Sequence, residues 1–328
     1  MPPEPKQIRA ALAAAFPTAS LVSNRSIAVL LPCYNEAATV AEVVRGFSTA
    51  LPGAKVYVYD NNSTDETAAE ARRAGAVVRR ERRQGKGHVV RRMFADIDAD
   101  VYLLADGDLT YDPTAAGRLI DAVVTENVDM AVGVRISQEK DAFRFGHRFG
   151  NQLFNTVVAK LFGEGFTDIL SGYRAFSRRF AKSFPAASGG FEIETELTVH
   201  ALDLQLACIE IPLPYGSRPQ NSTSKLRTYR DGARIMWAVA KMYRALHPFR
   251  FYGALAGLVM LVALALGTPI VAGFMRTGLV PRLPTAVLAM GLAQLSFLCF
   301  GCGLVLNAVA SGRRELKRMR YLDLSAPS

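Results

Sequence analysis

The sequence predicts an α/β fold, a Rossmann-like and mostly parallel sheet with helices on both faces, followed by two C-terminal transmembrane helices. Two observations carry this. Between residues 27 and 134, apolar strand-like runs alternate with segments whose apolar residues recur at helical spacing, the pattern of a parallel sheet joined by right-handed crossovers. Beyond residue 250, two long stretches carry no charged side chain. Composition agrees. Of 328 residues 50% are hydrophobic and 21% charged, which excludes a disordered chain. Four cysteines suit a reducing compartment and exclude a disulfide-stapled miniprotein. A net charge of +10 beside a mean hydropathy of +0.14 points either to nucleic acid or to an anionic membrane.

The elements follow in order. Ile27–Cys33 is a continuous apolar run, as for a strand buried on both faces. Val40, Val43, Val44, Phe47 and Leu51 form one face of a helix. A second strand spans Lys55–Asp60, a helix Glu66–Ala74, and a short strand Ala76–Arg79. Then come a helix at His88–Asp98, a strand at Val101–Asp106, a helix at Pro113–Glu126 with proline in its first turn, and a strand at Met130–Val134. Ligands of such sheets bind at the carboxyl ends of the strands. Here the first, second and fourth strands end in Asn35-Glu36, Asp60-Asn61 and Asp106 to Asp108.

Phe251–Phe274 is charge-free over 24 residues and Pro284–Ala310 over 27, and a helix crosses a hydrocarbon core of about 30 Å with roughly 20. The linker between them carries only Arg276 and Arg282. Arg244 and Arg250 precede the first span, and Arg313, Arg314, Lys317, Arg318 and Arg320 follow the second. The positive-inside rule therefore puts both flanks, and both termini, in the cytoplasm. Upstream, Ile235, Met236, Val239, Met242, Tyr243 and Leu246 form an apolar stripe with Arg227, Arg230, Arg234 and Lys241 opposite. Such a helix suits either the membrane surface or packing on its own domain. Cys299-Phe-Gly-Cys302 lies mid-span without further ligands and reads as packing. The Ala-rich N-terminus is short and Pro-rich, so signal processing is not expected.

No G-x-G-x-x-G follows the first strand and no P-loop is present. Asp106-Gly107-Asp108 instead offers two carboxylates at i and i+2 leaving a strand, able to converge on one hard cation together with phosphate oxygens. Leu31-Pro-Cys-Tyr-Asn-Glu36, Asp60-Asn-Asn-Ser-Thr-Asp65, Gly85-Lys-Gly87 and Asp106-Gly-Asp108, in that order, resemble family 2 glycosyltransferases with the GT-A fold. Ser171-Gly-Tyr-Arg174 and Arg218-Pro-Gln-Asn-Ser-Thr-Ser-Lys-Leu226 are similar to the polyprenyl-phosphate branch, typified by dolichyl-phosphate mannose synthase.

The resemblance implies inverting transfer of a sugar from a nucleotide-sugar to a membrane polyprenyl phosphate, undecaprenyl or dolichyl phosphate. It implies that Pro32, Tyr34, Glu36 and Asp60 hold base and ribose, and that Asp106 and Asp108 hold Mg²⁺ or Mn²⁺ bridging the diphosphate. Lys86 would approach a phosphate, or else be a solvated turn lysine. Relatives often carry Gln two residues beyond the second Asp, where this chain has Thr110. Arg135 and Arg148 match acceptor-phosphate positions, with Ser171, Arg174 and Lys225 as further contacts. A phosphate monoester is already an anionic nucleophile near neutral pH, so Glu192, Glu194 and Glu196 are expected in helix-terminal or ion-pair roles more than as a base. The implied organisation is an N-terminal extension (1–24), a cytoplasmic catalytic domain (25–226), an interfacial helix (227–250), spans at 251–274 and 284–310, and a basic cytoplasmic tail (311–328).

Competing functions fare less well. A polysaccharide synthase would carry Q-x-x-R-W, and the only tryptophan, Trp237, sits in Ile235-Met-Trp. A scaffold or flippase partner with a degenerate transferase domain fits poorly with intact carboxylates; transfer to another membrane lipid remains open. No nucleic-acid recognition motif appears, and a homo-oligomer is compatible with all of this. GDP-mannose, UDP-glucose and UDP-N-acetylhexosamine stay open as donors.

Overall fold

The structure, a computed structural model, describes residues 25–137, 156–158, 161, 166–216 and 228–324. Of the expected site residues, Arg148 and Lys225 lie outside these. The chain divides into two units, residues 1–236 with 317–328, and residues 237–316.

The first unit is built on strands β1 (Ile27–Cys33), β2 (Lys55–Asp60), β3 (Val77–Arg80), β4 (Val101–Leu104), β5 (Met130–Ser137), β6 (Arg174–Ser177) and β7 (Cys208–Tyr215). They form one sheet in the order β3-β2-β1-β4-β6-β5-β7. All neighbours are parallel except β6, which runs antiparallel to both β4 and β5. Helices α1 (Val40–Ala50), α2 (Thr67–Arg73), α3 (Lys86–Asp96), α4 (Ala116–Thr125), α5 (Arg178–Ser183) and α6 (Ile193–Leu204) cover the faces. Side chains alternate across a strand, and β1 shows the consequence. Val29, Leu31 and Cys33 enter a core with α1 and α4, while Ala28 and Leu30 enter another with α3 and α6. Burial on both faces is why β1 reads as an unbroken apolar run.

Pro32 in this central strand has a simple reason. Cys33 O accepts from Asn61 N on the β2 side and Leu30 O from Ala105 N on the β4 side. The nitrogen of Pro32 therefore faces β4, whose ladder has already ended at Leu30 opposite Leu104, so no hydrogen bond is lost.

The second unit holds α8 (Pro248–Thr277) and most of α9 (Leu283–Leu322); α7 (Thr228–Leu246) precedes them. The most apolar windows of α8 and α9 have mean hydropathies of 2.3 and 1.9, with only 11% and 17% of their residues buried. A core hairpin of a soluble protein would bury these side chains. Here Leu258, Leu261, Phe297, Leu298 and Val305 all stand at least 60% exposed, as lipid-facing residues do. The two helices meet where Gly303 faces Tyr252 and where Ser296 Oγ donates to Ala256 O at 2.8 Å, close approach through small and hydroxyl side chains being usual between membrane helices.

The end of α9 belongs to the first unit. Lys317 Nζ lies 3.0 Å from Asp203 Oδ2, and Tyr321 Oη reaches both carboxylate oxygens of Asp129 at 3.1 and 3.0 Å. Nearby His200 is buried between the Phe180 and Phe184 rings, with Ser183 Oγ at 3.3 Å from Nε2. Burial, helped by Lys317 and opposed by Asp203, pushes its pKa down to about 3. A base whose folded pKa is depressed takes up its proton only on unfolding. Its contribution is complete above the unfolded value near 6.5 and is lost progressively as pH falls towards 3. We expect this residue to cost about 2 kcal/mol of stability at pH 5 relative to pH 7, and His200→Gln to flatten that limb, read from thermal unfolding of the detergent-solubilised protein across pH.

Candidate active site

Four loops meet at the carboxyl ends of β1, β2, β3 and β4, and short polar side chains join them. After β1, Asn35 N donates to Ser63 Oγ at 2.9 Å, Glu36 N to Thr67 Oγ1 at 2.8 Å, and Ala37 N to Asp65 Oδ2 at 3.1 Å. Asn35 adopts a left-handed φ of 52°, a conformation asparagine tolerates, and its side chain accepts from Thr64 N. After β2, the 3%-exposed Asn61 donates to Glu81 O and Arg83 O and accepts from Gly85 N. Asn62 donates to Arg82 O at 2.8 Å. The Asp60 carboxylate caps its own turn by accepting from Ser63 N. Thr39, at the start of α1, donates to Gly107 O at 2.6 Å, fixing the turn between Asp106 and Asp108.

Asp106 and Asp108 leave β4 on this rim and differ in setting. Asp108 is 2% exposed, and its Oδ1 accepts from Thr110 Oγ1 at 2.5 Å and Thr110 N at 3.2 Å. Thr110 thus braces the second carboxylate. Asp106 is more open, its side chain 29% exposed, with Oδ1 at 2.6 Å from Lys86 Nζ. Lys86 opens α3 and reaches a second carboxylate, Glu194 Oε1 of α6, at 2.6 Å. Burial alone would push the lysine pKa down; Asp106 and Glu194 outweigh it and hold it above its ordinary value. The ammonium is therefore charged and shared by two carboxylates, so the solvated-turn alternative for Lys86 is excluded.

The glycines beside Lys86 are there for backbone reasons. Gly85 has φ +128°, and a Cβ on it would stand 2.1 Å from Gly189 O. Gly172 faces the cluster, its would-be Cβ at 3.0 Å from Asp106 Oδ2 and 3.1 Å from Lys86 Nζ. Any side chain at Gly172 intrudes on the ion pair.

The three alternating glutamates separate by geometry. Glu194 pairs with Lys86, while Glu196 accepts from Ala187 N and Ser188 N, both at 2.7 Å, and fixes the loop before α6. Glu192 lies one residue before α6 with a buried Oε2 that has no hydrogen-bond partner among the described residues. Asp112 caps the turn that begins α4 by accepting from Thr114 N.

The acceptor-side expectations need correction. Ser171 and Arg174 are both 0% exposed. Ser171 Oγ donates to Gly133 O at 2.5 Å. Arg174 donates to Ser171 O at 2.8 Å, Thr198 Oγ1 at 2.9 Å and Ile169 O at 2.5 Å. Burial pushes the Arg174 pKa down, and its fork is spent on neutral oxygens inside the protein. The Ser-Gly-Tyr-Arg segment builds the turn that sets Gly172 against Asp106; these two side chains present nothing to a ligand.

Arg135, near the end of β5, stays 20% exposed. Its Nε and Nη2 donate to Asp168 Oδ2 and Oδ1, each at 2.7 Å, a bidentate pair, and its guanidinium lies 5.6 Å from the Tyr215 ring centre. Burial would lower its pKa, but the Asp168 hydrogen bonds raise it. Asp168 escaped the sequence reading. Its signal was position, three residues before Ser171, and its loop is held by Glu210 of β7, which accepts from Thr167 N and Asp168 N. Pro32 lies within β1, Tyr34 is 37% exposed, and Asp60 is 7% exposed at the β2 end.

A mostly parallel sheet of this order, with polar loops on its carboxyl rim, has the architecture of the GT-A fold. A model described as Glycosyl transferase family 2 matches residues 28–184. Glycosyltransferase AglJ of Haloferax volcanii is 32% identical over 306 residues, 91% of this chain and 98% of that one. The chain belongs to glycosyltransferase family 2. A dolichyl-phosphate hexose transferase of the same organism is 26% identical over 216 residues, 66% of this chain and 93% of its own. Among solved structures, Mycobacterium tuberculosis glucosyl-3-phosphoglycerate synthase in complex with Mn²⁺, UDP and glucosyl-3-phosphoglycerate superposes with a TM-score of 0.58 at 24% identity, covering 69% of this chain and 82% of that one. That likeness establishes the fold.

Arg174→Met should lower the unfolding midpoint of the substrate-free protein, at a cost of about 3 kcal/mol or more for buried oxygens left without donors. Arg135→Lys, at a partly exposed position, should move it far less. Thermal unfolding of both variants without ligands checks the contrast.

Proposed function

We propose that this enzyme transfers a sugar, with inversion, from a nucleotide-sugar to a polyprenyl phosphate at the cytoplasmic membrane surface. The observation that carries the reading is Asp106, Asp108 and a charged Lys86 on the carboxyl rim of a mostly parallel sheet, in a chain with two apolar helices long enough to span a bilayer. Similarity to a dolichyl-phosphate hexose transferase supports the acceptor class.

Asp60, Glu36 and Tyr34 sit where base and ribose would lie, on loops already tied by Asn35 and Asn61. Asp106 and Asp108 fit a divalent cation. Asp106 is partly open and Asp108 is braced, but no cluster of three acidic, His or Cys ligands exists among the described residues. Diphosphate oxygens and water would complete the hard, oxygen-only shell that Mg²⁺ or Mn²⁺ prefers, and the ion would offset charge on the departing diphosphate. An acceptor phosphate oxygen attacks the anomeric carbon, the bond from that carbon to the diphosphate oxygen breaks with its electron pair, and nucleoside diphosphate leaves. The nucleophile is already ionised, so no side chain need take a proton. Arg135, two of its donors spent on Asp168, keeps Nη1 for the acceptor phosphate.

In this reading the spans anchor the protein, and the tail docks through Lys317 and Tyr321 on the same unit as the active site. Catalytic unit and C-terminus therefore lie on one side, which the basic flanks make cytoplasmic.

Asp106→Ala or Asp108→Ala should lose roughly 10²–10³-fold in rate, and excess chelator should abolish transfer until Mn²⁺ or Mg²⁺ is restored. The assay follows lipid-linked sugar from undecaprenyl phosphate with GDP-mannose, UDP-glucose and UDP-N-acetylhexosamine in turn; unchanged rates in chelator would overturn the metal assignment. Arg135→Lys should raise the lipid requirement while leaving nucleotide-sugar affinity intact, since lysine cannot reproduce a fork. Loss of donor affinity instead would place Arg135 on the diphosphate side.

A further inference from the structure

We propose that Lys86 is a resident counter-ion that holds the divalent cation's place, so that the metal enters with the nucleoside diphosphate and not ahead of it. This rests on the donor-site reading above. The ammonium, its side chain only 10% exposed, sits 2.6 Å from Asp106 Oδ1 and 2.6 Å from Glu194 Oε1. It occupies one oxygen of a carboxylate a metal would use and puts a unit charge beside that position. Like charges this close and this poorly solvated repel strongly. Glu194 keeps the lysine from leaving: it is 6% exposed on its side chain, and its other oxygen is buried with no hydrogen-bond partner among the described residues. Gly172 closes the cluster: a Cβ on it would press to 3.0 Å from Asp106 Oδ2 and 3.1 Å from Lys86 Nζ.

A diphosphate brings negative charge that both cations can share, so its arrival removes the penalty. Coupling of this kind is reciprocal, with each ligand raising the affinity of the other. The two ligands must then respond to Lys86 with opposite signs. Loss of the ammonium favours the metal alone and disfavours the diphosphate. A merely structural role would weaken both.

The test uses the full chain in detergent, with free Mn²⁺ followed by electron paramagnetic resonance and UDP and GDP by calorimetry. In the wild type, Mn²⁺ affinity should rise about tenfold or more once the accepted diphosphate is present. In Lys86→Met, Mn²⁺ alone should bind about tenfold tighter, the diphosphate more weakly, and the coupling should shrink. Glu194→Gln removes a negative charge while leaving Lys86 in place, so Mn²⁺ alone should bind more weakly; this variant carries the test if Lys86→Met does not fold. A wild type that couples the two ligands beside a Lys86→Met that binds Mn²⁺ no tighter overturns the inference and leaves the donor site standing. So does Glu194→Gln binding Mn²⁺ as well as the wild type or better. A wild type that binds neither Mn²⁺ nor any diphosphate overturns both.

Discussion

The ammonium of Lys86, buried between the Asp106 and Glu194 carboxylates, joins three segments far apart in sequence: the start of α3, the end of β4 and the start of α6. A lysine so enclosed must be paired, because its desolvation is offset only by close carboxylates with good geometry. That requirement propagates outward. The helix that carries Lys86 must begin against the 188–190 backbone, where Gly87 N donates to Gly190 O, and this leaves no room for a Cβ at Gly85. The 188–190 loop is fixed in turn by Glu196. On the opposite side Gly172 lies tight against the ion pair, and the turn that delivers it is held from within by Ser171 and Arg174. Residues that never meet a ligand thus set the positions of those that would.

The donor rim follows the same logic with neutral groups. Asn35, Asn61, Asn62, Thr39 and Thr67 each join one loop to another by side chain-to-backbone bonds. Loops at strand ends are otherwise the mobile part of a doubly wound sheet. A leaving diphosphate needs its partners in place before charge develops, since donors that must reorganise first are worth less. Bracing of Asp108 by Thr110 belongs to this design. The Thr110 hydroxyl serves here to orient a carboxylate.

Much of this was legible in the sequence. β1, β2 and the helices over residues 40–50 and 67–73 follow from apolar runs and helical spacing, because both faces of a central parallel strand are buried. The last strands were not. β6 has four residues and runs antiparallel between β4 and β5, too short for a periodic signal and reversed relative to the crossover pattern. Ser171 and Arg174 enter as acceptor contacts only through the family motif that contains them. Their burial depends on Thr198, Ile169 and Gly133 closing around them, which no local pattern shows. Glu192, Glu194 and Glu196 look alike in sequence; what separates them is which loop or cation each meets in three dimensions.

The C-terminal tail shows how charge alone can understate a segment. Its basic residues read as a topology signal, yet Lys317 and Tyr321 also have defined partners in Asp203 and the buried Asp129. Asp129 immediately precedes β5, the strand that carries Arg135, and also accepts from Ser177 Oγ at the end of β6. Arg179 completes the contact, donating to Leu324 O and lying 5.4 Å from the Tyr321 ring centre. Removing the tail would take the Tyr321 hydroxyl from the buried Asp129 carboxylate, a larger penalty than loss of an exposed ion pair. The end of the last helix is therefore part of the folded catalytic unit.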